Sequence, residues 1–292
     1  MRGNSESNRR LLRVSLVQIG FDESQTISGQ IARVAALISR HQNTDLVVLP
    51  EMWLHGAFAA HSWREKAIDL DGSLLDPIAA AAHSASVNVL AGSFVERAGS
   101  SGHKGRQGRG LWNTSVLFDR NGDVSATYRK IHRFGFGDGE PEVIEAGDRV
   151  VTASLLGVGG EPLCVIGLAT CYDLRFPELF RVLVDHGAEV MVVPAAWPLA
   201  RVAHWQALGI ARAIENQAFV LQVNDCGDHS GMAMAGHSQV VDPAGGVLAL
   251  GERDEVTLRA ELDLQQLVQL RQSFPVLRDR RLAVTGEFVV HA

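Results

Sequence analysis

The chain has 292 residues, with 27 Lys and Arg against 33 Asp and Glu, so its formal charge is −6 with histidines neutral. With 46% hydrophobic and 21% charged residues it has the composition of a globular protein, which excludes disorder, collagen and coiled coil. An acidic chain without a basic stripe argues against nucleic acid as the main partner. No apolar run approaches the roughly 18–20 residues of a membrane helix, and the polar opening MRGNSESNRR lacks a signal peptide's apolar segment. Three cysteines, Cys164, Cys171 and Cys226, form an odd set without metal-ligand spacing, as expected in a reducing cytoplasm.

Residues 1–10 are expected to be a flexible segment and 11–292 a single domain. Leu12, Val14 and Leu16 alternate with polar neighbours and predict a strand over 11–19; Ile31, Val34, Ala35 and Ile38 then share one helix face. DLVVLP (45–50) reads as a strand buried on both faces. Leu75, Ile78, Ala79 and Ala82 mark a second helix, and 87–94 a further strand. The Gly-, Ser- and Arg-rich stretch 97–110 is expected to be a mobile surface loop. LWNTSVLFD and DVSATYRKI flank Asn121-Gly122, a hairpin signal because both residues tolerate positive φ. A Gly-rich loop over 132–148 precedes the strand PLCVIGLA (162–169). Phe176, Leu179, Phe180 and Leu183 form a helix face that Gly187 is placed to end. EVMVVP, AFVLQVN, HSQVVD, GVLAL and VTLRAELD are strands; Ala207, Ile210, Ala211 and Ile214 mark the helix between the first two. The stretch 265–292 reads as a helix and an irregular tail. Helices alternate with strands and hairpins also occur, which predicts an α/β domain with mixed sheets.

Chemistry concentrates in TCYDLRFPEL. Cys171 follows a buried strand and precedes a helix, where helix-start N–H groups and a nearby cation can stabilise a thiolate. The competing reading is a small core residue. A nucleophilic cysteine needs a base and an oxyanion partner. Glu51, directly after VVLP, stands at the carboxyl end of a strand, where open α/β sheets bind ligands. Lys130 ends ATYRKI, and Glu140 lies in GDGEPE; each is otherwise a solvated loop or strand-end residue. His132, His204 and His237 offer a Cys–His alternative. Asp173 and Arg175 beside the cysteine either bind a substrate carboxylate or pair with each other. Trp197, in PAAWP, lines an acyl pocket or plugs the core.

The segments LPE at Glu51, YRKIH at Lys130 and TCYDLRFPE at Cys171, spread over 120 residues, resemble the nitrilase, or carbon–nitrogen hydrolase, superfamily. PAAWP, HWQALGIARAIENQ, GHSQVVDPAG and FPVLRDRR are similar to its amidase-like branches, ω-amidases among them. The resemblance implies a four-layer α-β-β-α sandwich with two mixed β-sheets, and a Glu51–Lys130–Cys171 triad. It assigns the second glutamate to Glu140, seven residues before Gly147. It implies a thioester on Cys171 whose oxyanion is held by Lys130 and the Tyr172 N–H. Glu51 is the general base, and Lys130 lowers the thiol pKa. Arg175 and Trp197 are expected on the substrate side. No metal and no cofactor is implied. The function expected is hydrolysis of a small linear amide to acid and ammonia; a nitrilase or N-carbamoyl hydrolase, or an idle binding protein on the same fold, stands as the alternative. The resemblance also implies a homodimer paired through the helix after Cys171 and the helix ending in ARAIENQ.

Overall fold

The computed structural model describes residues 10–99 and 104–287; most of the expected flexible segment 1–10, and part of the 97–110 loop, lie outside them. In chain order the strands are β1 (Leu11–Gln18), β2 (Leu46–Val48), β3 (Asn88–Arg97), β4 (Leu111–Phe118), β5 (Val124–Arg129), β6 (Thr152–Leu156) and β7 (Pro162–Leu168). There follow β8 (Val190–Ala195), β9 (Phe219–Asn224), the small hairpin β10 (Asp228–His229) and β11 (Met232–Ala233), then β12 (Gln239–Val241), β13 (Val247–Leu250) and β14 (Val256–Asp263). The helices are α1 (Ile27–Ile38), α2 (Ala60–Lys66), α3 (Asp76–Ala85), α4 (Glu140–Val143), α5 (Pro177–Asp185), α6 (Val202–Asn216) and α7 (Leu264–Ser273).

Two six-stranded sheets, ordered β14-β1-β2-β3-β4-β5 and β13-β12-β9-β8-β7-β6, carry the fold. Both are mixed: β1, β2 and β3 run parallel, as do β7, β8 and β9, and the flanking pairs are antiparallel. The period-two alternation of side chains sorts each strand between two cores. Leu46 and Val48 of β2 face the layer between the sheets, while Val47 and Leu49 face α1 and α3. Val190 and Val192 of β8 join the same inter-sheet layer, and Met191 and Val193 turn to α5 and α6. The result is the four-layer α-β-β-α sandwich. Among the described residues no helix is long and apolar enough to cross a membrane.

Several elements differ from the sequence reading. In the β4–β5 hairpin only Gly122 takes positive φ (84°), and Asn121 does not. Asp119 organises the turn: its backbone pairs with Asp123, and its Oδ1 accepts the N–H groups of Asn121 and Asp123. That is a three-residue loop closed by a left-handed glycine rather than a two-residue one. The expected mobile loop is pinned over 104–110, where Glu145 accepts the N–H groups of Gln107 and Arg109. Phe176 is not on the face of α5; it caps the helix and stacks its ring on His132. On α6 the sheet-facing residues are Trp205, Gly209, Arg212, Ala213 and Asn216. Of the stripe Ala207, Ile210, Ala211, Ile214, the first and last look outward, Ile214 being 49% exposed, while Ile210 and Ala211 are half-buried and Ile210 packs against the core beneath α5 and α6. Elements without a reading include β6, an edge strand with one fully buried side chain, α2, which buries only Trp63, the small hairpin β10–β11, and α4 within the expected 132–148 loop.

Candidate active site

Glu51 follows β2 through Pro50. The neighbouring β3 bulges at Gly92, whose φ is 69°, and a Cβ there would lie 1.8 Å from the Pro50 carbonyl oxygen. Only glycine admits that approach. Lys130 directly follows β5, its N–H donating to Asn113 O (2.8 Å) and its carbonyl accepting from Gly147 N (2.8 Å). Gly147 also lacks room for a side chain, because its Cβ would sit 2.0 Å from Arg129 O. Glu140 opens α4. Cys171 opens the 3₁₀ turn Cys171–Arg175 directly after β7, with a φ of 48°, a left-handed conformation that costs a non-glycine residue about 1–3 kcal/mol.

These four side chains converge. Lys130 Nζ lies 2.8 Å from Glu51 Oε1 and 2.8 Å from Glu140 Oε2. Asn113 Nδ2 donates to Glu51 Oε1 (2.8 Å) and Glu140 Oε1 (2.7 Å). The Ala196 N–H donates to Glu51 Oε2 (2.9 Å), and the Phe134 N–H to Glu140 Oε2 (2.5 Å). The Cys171 thiol shares the cavity with Glu51, whose charge acts on it. All four groups line a cavity of about 200 Å³ whose walls include Phe58, Trp63, Phe134 and Asp138. A wider groove of about 750 Å³, between α6 and the 250–254 turn, contains none of them.

Lys130 lowers the thiol pKa as expected, but it is opposed. Burial pushes the Cys171 thiol well above its ordinary pKa, Glu51 pushes it further, and Lys130 pulls it down without winning. Two carboxylates face one ammonium, so the site around the sulfur has no excess of positive charge. Burial and the Glu51 charge thus favour the thiol form of the sulfur over the thiolate. Burial works against the Lys130 cation, yet Glu140 and Glu51 outweigh it and hold the ammonium well above its ordinary pKa. Burial and the Glu51 charge raise Glu140, against the pull of Lys130.

The remaining candidates do not line the cavity; they adjoin it through neighbours of the lining residues Phe134, Cys171 and Ala196. Tyr172 is half-buried, edge-on to Phe134 (5.3 Å between centroids) and Phe176 (5.2 Å). Arg175 lies over Trp197 (4.6 Å) and Tyr172 (5.9 Å). It does not pair with Asp173, which is fully buried among Tyr128, His132 and the Thr170 N–H. Trp197 is 2% exposed behind Ala196, its indole N–H donating to Arg201 O. It stands outside the cavity wall, on the core side of the choice left open by the sequence. His132 is taken up by Asp173 and the Phe176 ring, His204 approaches Arg175, and His237 contacts Ala235 O, so none faces Cys171. Among the described residues no cluster of three histidine, cysteine or carboxylate side chains is arranged to hold a metal.

Asn113 was missed, although it bridges both glutamates. Its signal was an asparagine inside the strand LWNTSVLF between apolar ends, where that residue is disfavoured unless its amide has work to do. The wall residues Phe58 and Trp63 gave no signal, because an aromatic in a short helix or loop is ordinarily packing.

Residues 13–272 match the family profile described as Carbon-nitrogen hydrolase, and the chain belongs to that family. It is a carbon–nitrogen hydrolase, an enzyme whose named relatives hydrolyse amides. It is 46% identical to a 2-oxoglutaramate amidase of Paenarthrobacter nicotinovorans, over 97% of this chain and 95% of that one. A 2-oxoglutaramate amidase of Bacillus subtilis is 38% identical over 82% of this chain and 86% of its own length. Among solved structures, the CN-hydrolase superfamily protein XC1258 of Xanthomonas campestris superposes with a TM-score of 0.81 at 28% identity, covering 96% of this chain and 99% of that one.

Proposed function

We propose that the protein hydrolyses the terminal amide of a small carboxylate-bearing compound, with Glu51, Lys130 and Cys171 as catalytic residues. The observation that carries this reading is the meeting of a thiol, a buried carboxylate pair and a single ammonium in one small cavity. The Cys171 sulfur attacks the amide carbonyl carbon as Glu51 takes its proton. The carbonyl oxygen gains the charge, held by the Nζ–H of Lys130 that its two carboxylates leave over and by the Tyr172 N–H. Glu51 returns the proton to the leaving nitrogen and ammonia departs. Water, deprotonated by Glu51, then opens the thioester to the acid, and Glu51 returns that proton to the departing Cys171 sulfur. Glu140 holds Lys130 from its other side.

Beside the cavity, Arg175 and Arg201 stack on aromatic faces, Arg201 over Phe134 at 5.8 Å. Neither has a carboxylate partner among the described residues, so both stand ready for an anionic substrate end. The names of the two relatives favour the same substrate class. Ammonia release from 2-oxoglutaramate, glutaramate and the neutral butyramide tests the proposal; turnover of butyramide equal to that of the acids refutes the carboxylate claim.

The same reading takes 11–292 as one catalytic domain working in the cytoplasm. It pairs two copies by a two-fold through the outward Ala207 and Ile214 of α6, beside the exposed Val247, Leu248 and Leu250 of the edge strand β13. Light scattering at micromolar concentration tests the pairing: a monomer mass with full activity overturns it.

A further inference from the structure

Lys130 and Cys171 belong to different sheets. Lys130 directly follows β5, the edge strand of the first, and Cys171 follows β7 inside the second. Their spacing decides whether an oxyanion on the substrate meets the ammonium, and one buried carboxylate spans the gap. Asp173 lies two residues past Cys171 and is fully buried. Its Oδ2 accepts the Tyr128 hydroxyl (2.7 Å) and the Thr170 N–H (2.9 Å). Its Oδ1 accepts the His132 N–H (2.9 Å) and stands 2.7 Å from His132 Nδ1, which a carboxylate partner obliges to carry the proton. Tyr128 and His132 are the residues two before and two after Lys130, and Thr170 immediately precedes Cys171. Each oxygen thus takes a donor from the strand of the cation, and one takes a donor from the strand of the nucleophile. Other bonds among the described residues also join the sheets here, Ala196 N–H to Glu51, Glu51 N–H to Ala195 O, and Ser115 Oγ to Thr170 Oγ1, and none of these three grips the chain on both sides of Lys130.

We propose that Asp173 is a positioning residue that fixes the separation of Lys130 from Cys171, with Tyr128 and His132 as its two grips on the lysine's strand. The inference rests on the roles given above to Lys130 and Cys171. Burial and the adjacent Asp173 charge keep the Tyr128 phenol protonated well above its ordinary range, so that grip remains a donor at all working pH. The Phe176 ring, stacked on His132 at 3.7 Å, holds the imidazole flat against the turn.

The test uses three variants of the full chain, Asp173→Asn, Tyr128→Phe and His132→Phe, the last two retaining a ring in place. Expected are a fall in kcat of at least a hundredfold for Asp173→Asn and about tenfold for each of the others, with KM within twofold. The discriminating measurement is alkylation of Cys171 by iodoacetamide at pH 8.5, without substrate. A cation that has drawn away no longer eases ionisation of the thiol, so alkylation should slow by about tenfold, one pKa unit. A turn that has merely loosened exposes the thiol and speeds alkylation instead; faster or unchanged alkylation in the folded variants overturns the proposal. Should Asp173→Asn fail to fold, Tyr128→Phe and His132→Phe decide the matter by the same two readouts. A wild-type enzyme that releases no ammonia from any amide would sink the functional reading instead, whatever the alkylation rates.

Discussion

At the floor of the cavity, Glu51, Lys130, Glu140 and Cys171 are between 2% and 7% exposed. Each carboxylate oxygen there has an N–H partner at 2.9 Å or less. At the rim, Tyr172, Arg175 and Arg201 are half-buried and Phe136 is 75% exposed, and they hold one another by ring faces and edges. The two regions are a few residues apart in sequence, yet they obey different physics. Charges in the floor cannot be moved without leaving a buried ion unpaired, which is costly. Stacking at the rim is directional but shallow, so its members can be exchanged. Substitutions should therefore act on the rate of the chemical steps at the floor and on the choice of substrate at the rim.

The largest effect falls on the nucleophile. Cys171→Ala should lower ammonia release by several orders of magnitude while circular dichroism and melting temperature stay close to wild type. Near-normal turnover in the folded variant would dismantle the floor as described. Second in size is Lys130. Lys130→Arg preserves charge, but a planar fork cannot place three donors as a compact ammonium does between two carboxylates at 2.8 Å. We expect at least a hundredfold loss in kcat for Lys130→Arg and for Lys130→Met; an arginine variant within threefold of wild type would show that only the general field matters.

The rim should respond more gently. Arg175→Ala and Arg201→Ala are each expected to raise KM for a carboxylate-bearing amide about tenfold, and to leave a neutral amide of equal length within twofold. Equal losses on both substrates would mean that the guanidiniums only shape the aromatic wall.

The smallest effect on catalysis at neutral pH comes from behind the wall. His55 takes the Val95 N–H at Nδ1 and faces Lys66 O at Nε2, so it fits only as the neutral ring; burial lowers its pKa to about 4. Its folded pKa is below the unfolded one, so its contribution is complete above about pH 6.5 and is lost as pH falls toward 4. Unfolding in urea should show a loss approaching about 3 kcal/mol between pH 7 and pH 4, absent in His55→Gln. A wild-type curve that parallels the variant's would remove His55 as the cause.

The sequence showed the floor more clearly than the rim, for a physical reason. Glu51 and Cys171 each follow a buried strand, where a charged or reactive residue breaks the apolar pattern visibly, whereas Lys130 follows the largely exposed edge strand β5 and was marked only by the resemblance of YRKIH. Asn113 left the same trace and was passed over because its strand was read only for its apolar members. The strands with period-two burial were legible, while β6 and α2 were not, since an element that buries one side chain has no period to detect. The stripe on α6 shows a different limit: Ala207, Ile210 and Ile214 have helical spacing, but spacing is silent about which face meets the sheet. Trp205, Arg212 and Asn216 occupy that face, and a polar residue turned inward inverts the usual inference.

A thiol primed to open amide bonds is a hazard in any compartment full of polypeptide, where the commonest amide is the peptide bond. The chamber of about 200 Å³ is below the roughly 300–1,000 Å³ of ordinary ligand sites, and Phe58, Trp63 and Phe134 stand in its wall. A peptide group carries chain on both sides, so a chamber of that volume suits a small terminal amide better than an extended backbone. On the proposed mechanism, the smallness of the room, more than any recognition of sequence, would spare the enzyme's neighbours, and itself, from its own thiol.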